Sequence, residues 1–205
     1  SSCLDLKDPN HFTGDNFWKN KADAESALAA AYSPIKYQMY GYFGAFDGWL
    51  NLNGRGDDIF TITNEEPGMW AIANFQNSPT TGNDPYGALF TGVQRANVVL
   101  RYIDNVPATG ITEEDRSMIK GEALFLRGYQ YFLLVNNYKE VPLRIIPSNE
   151  DEPNKPAASE AVLWKQAEED LTEAIKCSLP VTRVADEKGR IEKGAAIAML
   201  AKVYL

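Results

Sequence analysis

Histidine is almost missing from this 205-residue chain: His11 is the single one. Cysteine is scarce as well, with only Cys3 and Cys177. Together they fall short of the roughly four ligands a structural zinc takes, and no metal or organic cofactor is expected. A disulfide between the two cysteines is conceivable, and a buried inert thiol is the plainer reading of Cys177, which lies between Ile175 and Leu179. Nucleophilic catalysis wants a positioned base, and His11 sits in a segment that reads as a tether. Long apolar runs are absent too, so no stretch reads as a membrane-crossing helix. Basic residues are in deficit, 20 against 28 acidic ones for a net charge of −8. That balance offers no basic face to nucleic acid or to anionic lipid. There is no glycine-rich phosphate loop. What remains is ordinary globular material, 44% hydrophobic and 23% charged. A chain of this length can bury roughly 70% of its unfolded surface.

The periodicity is helical. Asp15 or Asn16 can cap a helix running through Ala22 to Tyr32, which Pro34 is expected to kink or reset near Ser33. Asp84-Pro85 restarts helix, an aspartate cap with proline at the first helical position, and the pattern continues through Leu89, Val93, Ala96 and Leu100 to Ile103. Thr112 to Asp115 resembles a capping box at the head of the next helix. In that helix Glu122, Phe125, Tyr129 and Phe132 fall three and four apart on one face, which Ala123, Leu126 and Leu133 widen. Pro142 disfavours α backbone at Val141 and is expected to end it. A proline-rich connector follows. Ser159 caps a helix carrying Val162, Leu163, Ala167, Leu171 and Ala174. The last helix is predicted from near Ile191 and as still helical at Leu205, with Ala195, Ala196, Ala198 and Ala201 letting neighbours approach. The expected fold is predominantly α, about five helices in antiparallel hairpins.

Residues 43–83 differ in kind. They hold no sustained helical period and mix glycine with aromatics, asparagine and aspartate, so they read as an ordered polar-aromatic loop excursion. Sugar recognition wants flat apolar faces for the C–H surface of a ring and planar polar groups for its hydroxyls. Trp49, Asn51, Asn53, Arg55, Asp57, Asp58, Trp70, Asn74 and Phe75 supply both. The plainer role for Trp49 and Trp70 is to pin the loop to the helical body. The run from Asn51 to Asp57 mimics a calcium loop, but Ile62 stands where a bidentate glutamate is needed and Arg55 is among the ligand places, which excludes an EF-hand and leaves a looser calcium site at Asp57 and Asp58 as a minor alternative. Glu65-Glu66 and Asp57-Asp58 are adjacent carboxylates, a weak hint of glycosidase chemistry. Glu122 and Arg127, five apart, read as structural polar partners of neighbouring helices.

The string from Gly121 to Leu143 resembles the signature of the SusD/RagB family of nutrient-capturing outer-membrane lipoproteins. Asn97 to Leu100 with Ile103 resembles the family's earlier helix. Asp170-Leu171, Leu179-Pro180, Gly189-Arg190 and the Ala-rich run from Lys193 to Leu205 resemble its second hairpin. Ser1-Ser2 before Cys3 looks like the remnant of a lipobox, the alternative being a chance cysteine in a tail. The resemblance implies a lipid anchor at Cys3, a tether over residues 1–17, and a tetratricopeptide-like (TPR-like) helical domain over 18–205 belonging to a longer protein. It implies a non-catalytic protein on the outside of the outer membrane. Such a protein would take oligosaccharide or polysaccharide ligand at the excursion and hand it to a SusC-like TonB-dependent transporter. A TPR-like scaffold for peptides or proteins is the second reading, and a glycan-active enzyme the third.

Overall fold

The computed structural model describes residues 17–40, 56, 70–71, 74–76 and 86–205. The described residues form five α-helices: α1 Lys21–Tyr40, α2 Tyr86–Tyr102, α3 Glu113–Tyr138, α4 Glu160–Lys176 and α5 Lys193–Val203. Each packs on the next, and α1 also lies against α3. The fold is thus predominantly helical and TPR-like, as its sequence leads one to expect.

The starts follow capping chemistry. Asn20 Oδ1 accepts from the Asp23 amide at 3.1 Å while Asp23 Oδ2 accepts from the Asn20 amide at 3.2 Å, a reciprocal box. The cap of α1 is therefore Asn20; Asp15 and Asn16 lie outside the described residues, as do Asp84 and Pro85 before α2. Thr112 caps α3, its Oγ1 accepting from the Asp115 amide at 3.1 Å. Ser159 occupies the cap position of α4 but makes no side-chain cap bond.

Of the two effects open to Pro34, a kink or a reset, the reset does not occur: α1 runs on to Tyr40 with the proline inside. A proline strips the carbonyl four residues earlier of its donor, here Ala30. Arg95 on α2 replaces it, Nη1 donating to Ala30 O at 3.0 Å, and Ser33 Oγ adds a bond at 3.2 Å. The end of α3 also differs from expectation. It stops at Tyr138, where Lys139 takes φ 62°, before Val141–Pro142 pairs antiparallel with Ala157–Ala158. The two-residue ladder closes the proline-rich connector into a loop.

α3 is buried nearly all round rather than along one face, because it touches α1, α2 and α4. Gly121 and Gly128 permit this. A Cβ at Gly121 would meet Cys177 Cβ at 2.7 Å, and one at Gly128 would meet Leu171 Cγ at 3.0 Å. On α5 only Ala196 and Met199 are buried. Ala195, Ala198 and Ala201 are exposed, so of the alanines expected to seat neighbouring helices one does so here. The helix closes at Val203, and Leu205 is not helical.

Candidate functional site

Two buried polar clusters use up most of the interior chemistry. In the first, the guanidinium of Arg127 on α3 donates to both oxygens of Asp170 on α4, at 2.6 and 2.8 Å, and to Asn97 Oδ1 on α2 at 2.9 Å. Asn97 then donates to the carbonyls of Arg144 and Ile146, and Arg127 to that of Ile145. Tyr131 joins them, its hydroxyl donating to Arg144 O at 2.8 Å. Burial pushes the Asp170 carboxyl up, and the Arg127 fork pulls it back. The cluster fixes the connector backbone on the three helices and leaves its members fully engaged.

The second cluster centres on Glu122, which has no exposed surface. Oε1 accepts from Arg183 and Arg190, both at 2.7 Å, and Oε2 accepts from Arg190 Nε at 3.2 Å and from the Tyr32 hydroxyl. The Tyr32 oxygen accepts the Ile191 amide at 2.9 Å. Burial, with Glu122 beside it, holds the Tyr32 hydroxyl far above its ordinary range. Gly189, at φ 98°, turns the chain so that Arg190 reaches inward. Glu122 and Arg127 are thus structural partners of their neighbours, as read from sequence. Arg183 and Asp170 carry equal weight; sequence reasoning quoted Asp170 only within the resemblance and passed over Arg183, and a carboxylate on the apolar face of α4, beside Leu163, Ala167, Leu171 and Ala174, was the available signal.

Of the residues predicted to face ligand, Trp70, Asn74 and Phe75 are described. Trp49, Asn51, Asn53, Arg55 and Asp57 lie outside the described residues, as do Cys3, His11, Asp58, Glu65 and Glu66. Trp70 and Ala71 sit in a helical turn whose inner side is Ala71, buried at 5% exposure. The Trp70 carbonyl accepts two bonds from Asn74, from its amide at 3.0 Å and its Nδ2 at 2.7 Å. The Gln76 amide donates to Ala71 O at 2.7 Å, the six-to-one bond of a Schellman closure. Phe75 takes the left-handed place in that closure at φ 56°, with 73% of its surface exposed, and Trp70 is 38% exposed. The structure therefore brings three of the predicted residues together in one turn and displays two aromatic rings to solvent. It assigns Asn74 to holding the turn.

Elsewhere a shallow groove of about 310 Å³ runs between α1, α3 and α5, lined by Ile35, Phe125, Tyr129, Ala198 and Met199. Cys177 is half-buried, and that burial pushes the thiol up. Among the described residues no group of three or more histidine, cysteine, aspartate or glutamate side chains could hold a metal. No helix there is long and apolar enough to cross a membrane.

Residues 50–205 match a family of SusD-like proteins described as starch-binding and associating with the outer membrane. The chain belongs to the SusD-like family. SusD-like protein P25 of Formosa agariphila is 22% identical over 204 residues, covering 93% of this chain and 37% of that protein. Among solved structures, a laminarin-binding SusD-like protein is 30% identical with a TM-score of 0.79, covering 91% of this chain and 40% of its own. A SusD superfamily protein from Bacteroides vulgatus is also 30% identical, with a TM-score of 0.75 and coverage of 92% and 40%. This SusD-like chain thus spans well under half the length of the relatives it matches.

Proposed function

We propose that this SusD-like chain is part of a non-catalytic surface protein that captures nutrient glycans. In this reading it is lipid-anchored through Cys3, faces outward from the outer membrane, and passes its ligand to a SusC-like TonB-dependent transporter. The observation that carries the proposal is the turn with Trp70 and Phe75 exposed together, in a family described as starch-binding. Two exposed rings on a fixed turn suit the C–H faces of sugars. The naming of a 30%-identical relative as laminarin-binding supports a glycan over a peptide. The lipid anchor and the transporter rest on family resemblance, and the rest of the ligand surface is assigned to Trp49, Asn51, Asn53, Arg55 and Asp57.

Affinity electrophoresis in gels containing laminarin, starch, xylan or mucin tests this. Retardation by one of the four is expected, weakened about tenfold in Trp70→Ala. Migration unchanged in all four gels refutes glycan capture. For the anchor, Cys3→Ala in cells fed labelled fatty acid is expected to lose the label, and a labelled variant refutes lipidation at Cys3.

A further inference from the structure

Loops ordinarily keep apolar side chains in and charged ones out, because a guanidinium taken out of water must be fully paired. The loop between α4 and α5 does the reverse. Val181 and Val184 are 79% and 67% exposed, while Arg183 between them is buried. Away from the end of the chain, only Phe75 among the other described large apolar residues is exposed to this degree. The Arg183 guanidinium donates to Glu122 Oε1 at 2.7 Å, to the Ile191 carbonyl at 2.8 Å and to Glu187 Oε2 at 3.2 Å. Its amide donates to Glu192 Oε1 at 2.8 Å, and the Val184 carbonyl accepts from the Glu187 amide at 3.0 Å. The loop backbone is thereby fixed with both valines left outside. Folding gains nothing from them, since a polar residue at either place would stand in water as well. The loop lies where α1 and α3 begin: the Ser178 amide donates to Ser117 Oγ at 3.0 Å, and Arg190 pairs with Glu25 at 3.6 Å. That end of the body leads back along the chain toward Cys3.

Resting on the transporter reading, we infer that Val181 and Val184 are a docking contact that seats on an apolar patch of the transporter's outward surface. Valine has neither a flat ring face nor a hydrogen-bonding group, so the pair does not suit a sugar. The loop carries no excess charge either. Glu187 is taken by Arg183 and Arg190, and Asp186 and Lys188, one of each sign, make no ion pair among the described residues. A surface without excess positive charge draws no anionic lipid, and two valines without tryptophan, phenylalanine or leucine bury little in a membrane interface. An apolar protein surface suits them, because β-branched side chains have little rotamer freedom to lose on burial. In the proposed reading Cys3 ties this end of the body to the membrane in which the transporter lies. Sequence reading quoted Leu179-Pro180 and Gly189-Arg190 on either side and assigned nothing to the stretch between.

The test uses the complete protein and its SusC-like transporter, expressed together and extracted in detergent with the tag on the transporter, and the double variant Val181→Ser/Val184→Ser. The parent is expected to co-purify with the transporter, and the double variant about tenfold less at equal expression. Melting temperature and retardation by polysaccharide are expected to stay as in the parent, since neither valine supports the core or the glycan site. Equal co-purification of parent and variant overturns the contact and leaves the transporter reading standing. A variant that melts lower shows that the valines serve the fold, and overturns it too. A parent that comes down with no transporter refutes the transporter reading and this inference with it, whatever the polysaccharide gels show. Two further arms separate other occupants: flotation of the Cys3→Ala protein with vesicles of phosphatidylethanolamine and lipopolysaccharide, and sedimentation of that protein alone. Flotation or a dimer that the double variant abolishes overturns the inference, in favour of the membrane or of a second copy.

Discussion

At the scale of single residues, Glu122 carries the largest local consequence. Its carboxylate is the common counter-ion of Arg183, almost fully buried, and Arg190, partly so. Removing one partner of a buried pair strands the other charge in a low dielectric. Glu122→Gln, which keeps the shape, is expected to cost about 3–5 kcal/mol in urea unfolding. A cost within experimental error would show that the arginines find water instead. Lys21 and Asp115 make a more open pair at 2.8 Å between α1 and the first turn of α3. The hydrogen bond that Lys21 donates holds Asp115 below the ordinary carboxylate range, and the same bond raises Lys21. A lowered acid stabilises above its unfolded pKa, about 3.9, and a raised lysine below its own, about 10.4. The stability difference between the parent and Lys21→Met should therefore be level from about pH 5 to 9. It should shrink as pH falls through the Asp115 pKa and as it rises through that of Lys21. A difference unchanged down to pH 2, roughly, would exclude the pair as its source.

At the scale of elements, the stop of α3 at Lys139 is a place the chain has not optimised. A lysine at positive φ is strained where glycine is at ease, so Lys139→Gly is expected to raise stability by about 0.5–1 kcal/mol, measured as a shifted urea midpoint at unchanged slope. Gly121 is the opposite case. A methyl group there falls inside contact distance of Cys177 and Leu179, so Gly121→Ala should cost about 1–3 kcal/mol by the same measurement. These elements also show what the sequence makes legible. Helix type and order followed from apolar spacing and caps, as at Thr112, because both are local. The reset open to Pro34 is absent for a reason that is not local: Arg95, on another helix, supplies the donor the proline removes. The partners of Glu122 were unreadable likewise, since Arg183 and Arg190 come from a loop with no period linking it to α3. In the candidate site, residue type pointed to Trp70 and Phe75, but the conformation of Phe75 runs against the preference of its own side chain and could not be foreseen.

At the scale of the molecule, α3 is the axle on which the other helices turn. It packs against α1, α2 and α4 and sends Glu122 and Arg127 into both polar clusters, between two apolar cores. Its interior amides, from Ile119 to Val135, should exchange with deuterated solvent only through global opening, more slowly than any in α5. Exchange in α3 as fast as in α5 would mean that the helices open independently.

The bond from the Ile191 amide to Tyr32 has a bearing on time as well as on space. Its two ends lie 159 residues apart in the chain. At synthesis rates of about 5–20 residues per second, Tyr32 leaves the ribosome roughly 8–32 seconds before Ile191 exists. Glu122 waits a shorter while for its arginines, 61 and 68 residues downstream. Through that interval the first three helices can assemble only around a carboxylate that Tyr32 answers and no arginine yet does. The segment that carries Arg183, Arg190 and Ile191 locks α1 in place, so the nascent chain stays pliable until that segment arrives.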